Sequence, residues 1–510
     1  MKISCTALSF ILFILLSCES SQENKNRLPN IIIICADDLG WSDIGCYGSE
    51  INTPHLDRLA SEGMRFTQFH NTSKCMPSRA ALITGAYAQD CNYHKTHKNP
   101  ISNAVTIGEV LRTVGYRTLW SGKHHGKENP IYRGFDHYYG LKDGCCNYFN
   151  PGNQRKGEPA PARKRTRYWC IDSTEFLPYT PEAEDFYTTD YFTKYAIKWL
   201  DEEKDSQKPF FLYLAYTAPH DPLMAWPKDI DKYKDVYKVG YDVVRQNRYR
   251  KQSKTGLIDS SYQLSVATFS YWNDLSDKDK EIEAQKMAVY AAMIDRMDQN
   301  IGILMNHLEE SNQLNNTLIF FVSDNGASAE VVNLRDDNDN APIGSSERYV
   351  SLGKNWANVC NTPFRYFKNY SYEGGINTPM IAWWPDHIKA NSISRFPGHM
   401  IDFMATIIDI TDAKYPKLRN GETIVPYKGQ SLLPVFEGEE IRGKPLFWSW
   451  AAGKAARNSD WKIVKHGHHK DWELYNMKID PCENNNVAMQ FPEIVQQLDS
   501  LYLDWEKYYQ

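Results

Sequence analysis

The chain has no CxxC pair, no internal repeat and no large excess of charge of either sign. Beyond its first residues it also has no run approaching the ~20 apolar residues of a transmembrane helix. Each absence excludes something. Without cysteine pairs at ligand spacing there is no structural zinc site to build. A net charge of −5 over 510 residues gives no electrostatic basis for binding nucleic acid. A chain without repeats is not a solenoid. No second long apolar run follows the first, so the body is expected to be soluble. What remains is ordinary globular composition, 42% hydrophobic and 24% charged, enough to bury a large core.

The one early apolar run, Ala7 to Leu16, follows Lys2 and is too short to span a bilayer; it fits the apolar region of a signal peptide. It ends in Leu15-Leu16-Ser17-Cys18, which resembles a bacterial lipobox, and a polar stretch follows at once. The expectation is an exported bacterial lipoprotein, lipidated at Cys18, at the outer membrane, cell surface or periplasm. Residues 1–17 would be the signal, 18–29 a polar tether, 30–440 a catalytic domain and 441–510 a C-terminal subdomain. Apart from Cys5 and Cys18, nine cysteines remain, at 35, 46, 75, 91, 145, 146, 170, 360 and 482. An odd number in an exported protein leaves at least one unpaired or modified.

Several apolar runs end alike. "NIIIICADD" ends in Asp37 and Asp38, "YRTLWSGKHH" in Lys123, His124 and His125, "PFFLYLAYTAPHDP" at His220, and "TLIFFVSDNG" at Asp324 and Asn325. Continuous apolar strands alternating with helices predict an α/β fold, a sheet covered on both faces. In such sheets ligands bind beyond the carboxyl ends of the strands. The long helical pattern Met287, Ala291, Ile294, Met297, Ile301, Leu304, Leu308 reads as core. The polar, Tyr-rich stretch 226–280 reads as an insertion over the sheet edge, where specificity would reside. After about Glu440, short aromatic strands predict a small antiparallel sheet.

Asp37, Asp38, Asp324 and Asn325 offer hard oxygen donors, suited to Ca²⁺ or Mg²⁺ rather than zinc. A single Asp-Asp pair often only caps a helix; two acidic strand ends make a metal site the better reading. Arg79, Lys123, His125, His220 and Lys368 would surround that metal with cations, as a tetrahedral oxyanion requires. Taken alone, His220 could cap a loop and Lys368 could be a surface lysine. The basic loop 154–167 reads as solvated, and "HGHH" at His466–His469 as a hairpin turn.

"NTSKCMPSRAALITG", Asn71 to Gly85, holds a lone cysteine at a polar turn. Cys75-Met76-Pro77-Ser78-Arg79, continued to Thr84-Gly85, resembles the signature of type I formylglycine-dependent sulfatases. "ADDLGWSDIGCYG", "GKHH", "TAPHDP", "SDNG", "NTPFRYFKNYSYEGGINTPMIAWWP" and "ELYNMKIDPCENNNVA" extend the resemblance along nearly the whole mature chain. It implies an alkaline phosphatase-like fold: a large mixed sheet sandwiched by helices, with a smaller C-terminal antiparallel sheet. It implies that a formylglycine-generating or anaerobic sulfatase-maturating enzyme oxidises Cys75 to formylglycine. Of the two hydroxyls on the aldehyde hydrate, one attacks sulfur and expels the alcohol. The other loses its proton, the aldehyde re-forms, and sulfate leaves by C–O cleavage.

The same resemblance implies residue roles. Asp37, Asp38, Asp324 and Asn325, with the modified Cys75, would hold calcium, with Mg²⁺ as the alternative. Arg79 would orient the hydrate, and Lys123 and Lys368 would meet the sulfuryl oxygens. His220 would protonate the leaving alcohol, and His125 would assist hydrate collapse, with His124 as spacer. The expected substrate is a carbohydrate sulfate, taken from a chain end: a galactose or N-acetylgalactosamine sulfate of host mucin or glycosaminoglycan. Two readings compete: a phosphoester or phosphonate monoester hydrolase of the same superfamily, and an inactive glycan-binding protein.

Overall fold

The computed structural model describes residues 27–94, 99–202, 206–334, 338–467 and 471–509. The signal segment, the lipidation at Cys18 and nearly all of the tether lie outside these, as does part of the His466–His469 turn.

The large sheet is built from β1 (Asn30–Asp37), β2 (Met64–His70), β3 (Arg117–Gly122), β4 (His137–Leu141), β5 (Trp169–Ile171), β6 (Thr174–Phe176), β7 (Phe210–Pro219), β8 (Thr317–Ser323), β9 (Asn377–Trp383), β10 (Ser392–Ser394) and β11 (Gly398–His399). Its order is β10-β2-β9-β8-β1-β7-β3-β4-β5-β6, with β11 pairing β2. The centre is parallel: β1 runs alongside both β7 and β8, and β3 alongside β7. The flanks include antiparallel pairs, β8 with β9 and β4 with β5, so the sheet is mixed as expected. Parallel neighbours share an end. The carboxyl termini of β1, β3, β7 and β8 therefore open on one edge, carrying the polar residues that close them.

Both faces are covered. On β1, Ile32, Ile34 and Ala36 enter one core, and Ile31, Ile33 and Cys35 enter the other. Each such isoleucine contributes about 1.5–3 kcal/mol by burial. The first core is closed by α2 (Thr188–Glu202) and α3 (Asp277–Glu310), the second by α1 (Cys75–Thr84) and α4 (Asp402–Thr411). Ser276 caps α3, accepting a bond from the Asp279 N–H at 3.1 Å. Met287, Met293, Met297 and Met305 of this helix are buried, as core side chains should be.

After the short hairpin of β12 (Leu418–Arg419) and β13 (Glu422–Thr423), strands β14 (Leu446–Trp450), β15 (Gly453–Asn458), β16 (Trp461–His466) and β17 (Glu473–Asn476) form the C-terminal antiparallel sheet. One face packs on α5 (Pro492–Glu506), the other on Tyr372 and Ile376. His466 closes β16 with its ring stacked on Tyr370, centroids 4.0 Å apart.

The 226–280 stretch is not irregular throughout: it holds a helix at Tyr241–Lys254. Buried Arg248 bonds Asp43, with an Nη1–Oδ1 distance of 2.5 Å, and Glu50, and Gln252 donates to the carbonyls of Tyr47 and Thr362. The segment thus braces the loop behind Asp38. A buried guanidinium must sit with its counter-charges, and here those are Asp43 and Glu50 of that loop.

Candidate active site

Strand β1 delivers Asp37 fully buried, and the chain turns sharply at Asp38, whose φ is 63°. Asp tolerates this left-handed conformation better than most residues. Two bonds hold it: the Asp38 N–H donates to Asp324 Oδ1 at 3.2 Å, and the Leu39 N–H to Ser323 Oγ at 3.0 Å. Tyr290 of α3 supports the turn from below, donating to the Asp38 carbonyl at 3.0 Å and to Asp43 at 2.7 Å.

The loop after β8 brings Asp324 and Asn325 against this turn. It can do so because Gly326 has no side chain: a Cβ there would lie 2.0 Å from the Gly374 carbonyl oxygen. The Lys368 N–H donates to the Ala327 carbonyl at 3.1 Å, so the Lys368 loop docks on the same segment.

The cations then close in. Lys123 Nζ lies 2.5 Å from Asp37 Oδ2, and Lys368 Nζ 2.8 Å from Asp38 Oδ2. Arg79 donates from Nε to Asp324 Oδ2 at 2.7 Å and from Nη1 to the Lys123 carbonyl at 3.2 Å. His220 Nε2 stands 3.5 Å from Asp38, while its Nδ1 faces Asp221 at 2.8 Å. Ser351 Oγ donates to the other Asp221 oxygen at 2.5 Å, so the imidazole is fixed through a chain of two residues.

These contacts set the charges. Burial pushes Asp37 up to about 6, against the pull of Lys123 and with the push of Asp324. Burial also opposes the Asp38 carboxylate, but His220 and Lys368 outweigh it and hold the group well below the usual range. Burial disfavours charge on His220, yet Asp38 and Asp37 raise it well above an ordinary histidine.

Cys75 opens α1 directly after the turn that leaves β2, and it is buried. Pro77 falls in the first helical turn, where a missing N–H costs no internal bond. No side chain caps this end, so the helix presents its positive pole at Cys75. Ser78 instead serves the turn before it, accepting from the Thr72 N–H at 2.9 Å. Ligand atoms of Cys75, Asp37 and Asp324 lie within 4.8 Å of one another, as do those of Asp37, Asp38 and His220.

Buried Asp37 Oδ1 and Asn325 Oδ1 have no hydrogen-bond partner. With Asp38 and Asp324 they make a set of hard oxygen donors that a divalent cation of the calcium or magnesium type would satisfy. The residues present fit such an ion.

The remaining histidines divide. His125, at φ 58°, places its ring beside Gly144, where a Cβ would come within 2.9 Å. His124 turns away and lies edge-on to Trp120, centroids 4.8 Å apart; burial lowers it to about 3. The spacer reading of His124 fits this placement.

Sequence reasoning missed Lys74, Glu330, Asp221 and Ser351. Lys74 Nζ and Glu330 Oε1 are 2.5 Å apart, and Lys368 Nζ is 3.1 Å from Glu330 Oε2. Adjacency to Cys75 and to His220 was the only signal for Lys74 and Asp221. Glu330 and Ser351 carry none.

A floor of hard oxygen donors walled by lysine, arginine and a helix N-terminus suits a cation held against a tetrahedral oxyanion. On a large mixed sheet, that defines an ester hydrolase of the alkaline phosphatase fold. Within this class, the chain belongs to the sulfatase family. The family model described as Sulfatase matches residues 29–413, and that of the N-sulphoglucosamine sulphohydrolase C-terminal region matches 363–506. An arylsulfatase of Klebsiella aerogenes is 31% identical, with 80% of this chain and 92% of that protein covered. The N-acetylgalactosamine-6-sulfatase of Canis lupus familiaris is 26% identical, covering 90% and 76%. Among solved structures, Ps i-CgsB in complex with k-i-k-neocarrahexaose superposes with a TM-score of 0.68 at 25% identity, covering 95% and 93%. The enzyme is a sulfuric ester hydrolase.

Proposed function

We propose that this sulfatase removes sulfate from the terminal sugar of an oligosaccharide, with Cys75 converted to formylglycine and calcium held by Asp37, Asp38, Asp324 and Asn325. One observation carries the reading. The cysteine of the Cys75–Arg79 motif stands at a helix N-terminus, its sulfur within 4.8 Å of carboxylate oxygens of Asp37 and Asp324.

Formylglycine supplies a nucleophile with its own leaving route, and calcium, with Mg²⁺ as the alternative, supplies Lewis-acid polarisation of a sulfuryl oxygen. The chain's own residues do the rest. Lys123 and Lys368 meet the charge on the sulfuryl oxygens. Arg79, fixed by Asp324, orients residue 75. His220 gives its Nε2 proton to the departing alcohol oxygen while Asp221 holds Nδ1. His125 takes a proton at residue 75.

The sugar substrate is supported by the company the chain keeps: one relative is named for N-acetylgalactosamine 6-sulfate, and one solved neighbour binds a carrahexaose. Galactose or N-acetylgalactosamine sulfates are the specific proposal. Lipidation at Cys18 would place the enzyme at an envelope where such fragments arrive.

The test is sulfate release from short oligosaccharides sulfated at the terminal or only at an internal residue, with matched phosphate esters alongside. Release confined to terminal sulfates supports the proposal. Equal rates on both oligosaccharides overturn chain-end action, and faster phosphate release favours the phosphoesterase reading. Mass spectrometry of the Cys75 peptide should show the aldehyde in the native host; an unmodified thiol in active enzyme overturns the mechanism.

A further inference from the structure

Glu330 is an unusual residue to find in a site for anions. It borders a narrow cleft with Asp38 and His220, and its side chain is 42% exposed to solvent. Its carboxylate is held from three directions. Lys74 lies 2.5 Å from Oε1, Asn369 Nδ2 donates to the same oxygen at 3.3 Å, and Lys368 lies 3.1 Å from Oε2. Lys74 immediately precedes Cys75, and Lys368 also grips Asp38, so Glu330 bridges the two sides of the lip.

Such a carboxylate has two consequences. First, with Asp38 it offsets the charge of Lys368 and Lys74, so an anion arriving at this lip must compete with Glu330 for them and meets repulsion from it. Second, the side chain is 42% exposed, and a carboxylate fixed by three donors keeps acceptor capacity for a hydroxyl. A sulfated sugar presents one sulfate to the floor and its ring hydroxyls to the lip.

We infer that Glu330 is a specificity-determining residue: it accepts a hydrogen bond from a hydroxyl beside the scissile sulfate and turns away sugars that carry a second sulfate or a carboxylate there. This rests on the sugar-sulfate reading above. Discrimination of this kind comes as much from the repulsive element as from the attractive one.

The experiment compares kcat/KM for sulfate release from N-acetylgalactosamine 6-sulfate and N-acetylgalactosamine 4,6-disulfate, in the wild type and in Glu330→Gln and Glu330→Asp. The ratio of disulfated to monosulfated rates should rise about tenfold in Glu330→Gln, mainly through KM for the disulfate. It should stay near the wild-type value in Glu330→Asp, which keeps the charge. Melting curves confirm that both variants are folded. If Glu330 only props up Lys74 and Lys368, both substrates will slow together; an unchanged ratio overturns the inference and leaves the substrate reading intact. No release from either sugar by the wild type overturns both.

Discussion

Two buried charge clusters lie on either side of the segment from Lys368 to Glu373, and only one of them is closed. The seam cluster joins the C-terminal sheet to the catalytic domain. Lys462 of β16 donates to Glu373 and to Glu483 at 2.7 Å each, the Glu373 N–H donates to Glu483 at 2.8 Å, and His70 lies 3.1 Å from Glu373. No polar side-chain atom of these four residues lacks a partner. The floor cluster of Asp37, Asp38, Asp324 and Asn325 is just as buried but leaves two oxygens unmatched. A buried acceptor without a donor costs free energy and calls for an explanation. The comparison teaches that burial of charge alone does not mark a site. The floor differs in gathering its unmatched oxygens, Asp37 Oδ1 and Asn325 Oδ1, with further carboxylates from two converging strand ends.

The largest effect expected from breaking the comparison is on the floor. Asp324→Asn keeps an acceptor for only one of its two partners, the Asp38 N–H or Arg79, and removes a charge from the cation site. Sulfate release should fall by about a thousandfold or more, and melting curves of metal-free protein report separately the cost of the lost Arg79 or Asp38 bond. At the seam the pattern inverts. Lys462→Met strands two buried carboxylates and should cost about 3–5 kcal/mol in urea unfolding. The surviving folded fraction should still bind calcium.

Calcium itself sharpens the contrast. At a hundredfold excess over its dissociation constant it should stabilise the protein by about 2.7 kcal/mol. Calorimetric melts should show this gain in the wild type and in Lys462→Met, and show it lost in Asp324→Asn.

The smallest effect is on pH. In metal-free protein His220 is raised well above its ordinary value by Asp38 and Asp37, against burial. A histidine raised on folding binds its proton more tightly in the native state. Its stabilisation is full below about pH 6.5 and is lost as pH rises through the native pKa. Melting temperatures of chelated protein should therefore fall with rising pH above that point, and the slope should flatten in His220→Asn.

The floor was legible in the sequence because continuous apolar strands end abruptly in carboxylates. Ile31 to Ala36 are all buried, and the next two residues are Asp37 and Asp38. Parallel pairing of β1, β7 and β8 then gathers the strand ends. Lys368 comes from a loop, and read alone it could have been a surface lysine; the convergence of cations and the resemblance singled it out. The seam was illegible because His70, Glu373, Lys462 and Glu483 come from four separate segments, and no local pattern predicts that they meet. The 226–280 stretch shows the same limit. Its polar composition was plain, but nothing local predicted that Arg248 would find Asp43 and Glu50.

The most direct test is a crystal of the wild type soaked in calcium and examined for where the ion settles. The account predicts one ion on the floor, about 2.3–2.6 Å from oxygens of Asp37, Asp38, Asp324 and Asn325. An ion at Glu373 and Glu483, or a floor that stays empty at saturating calcium, would contradict it.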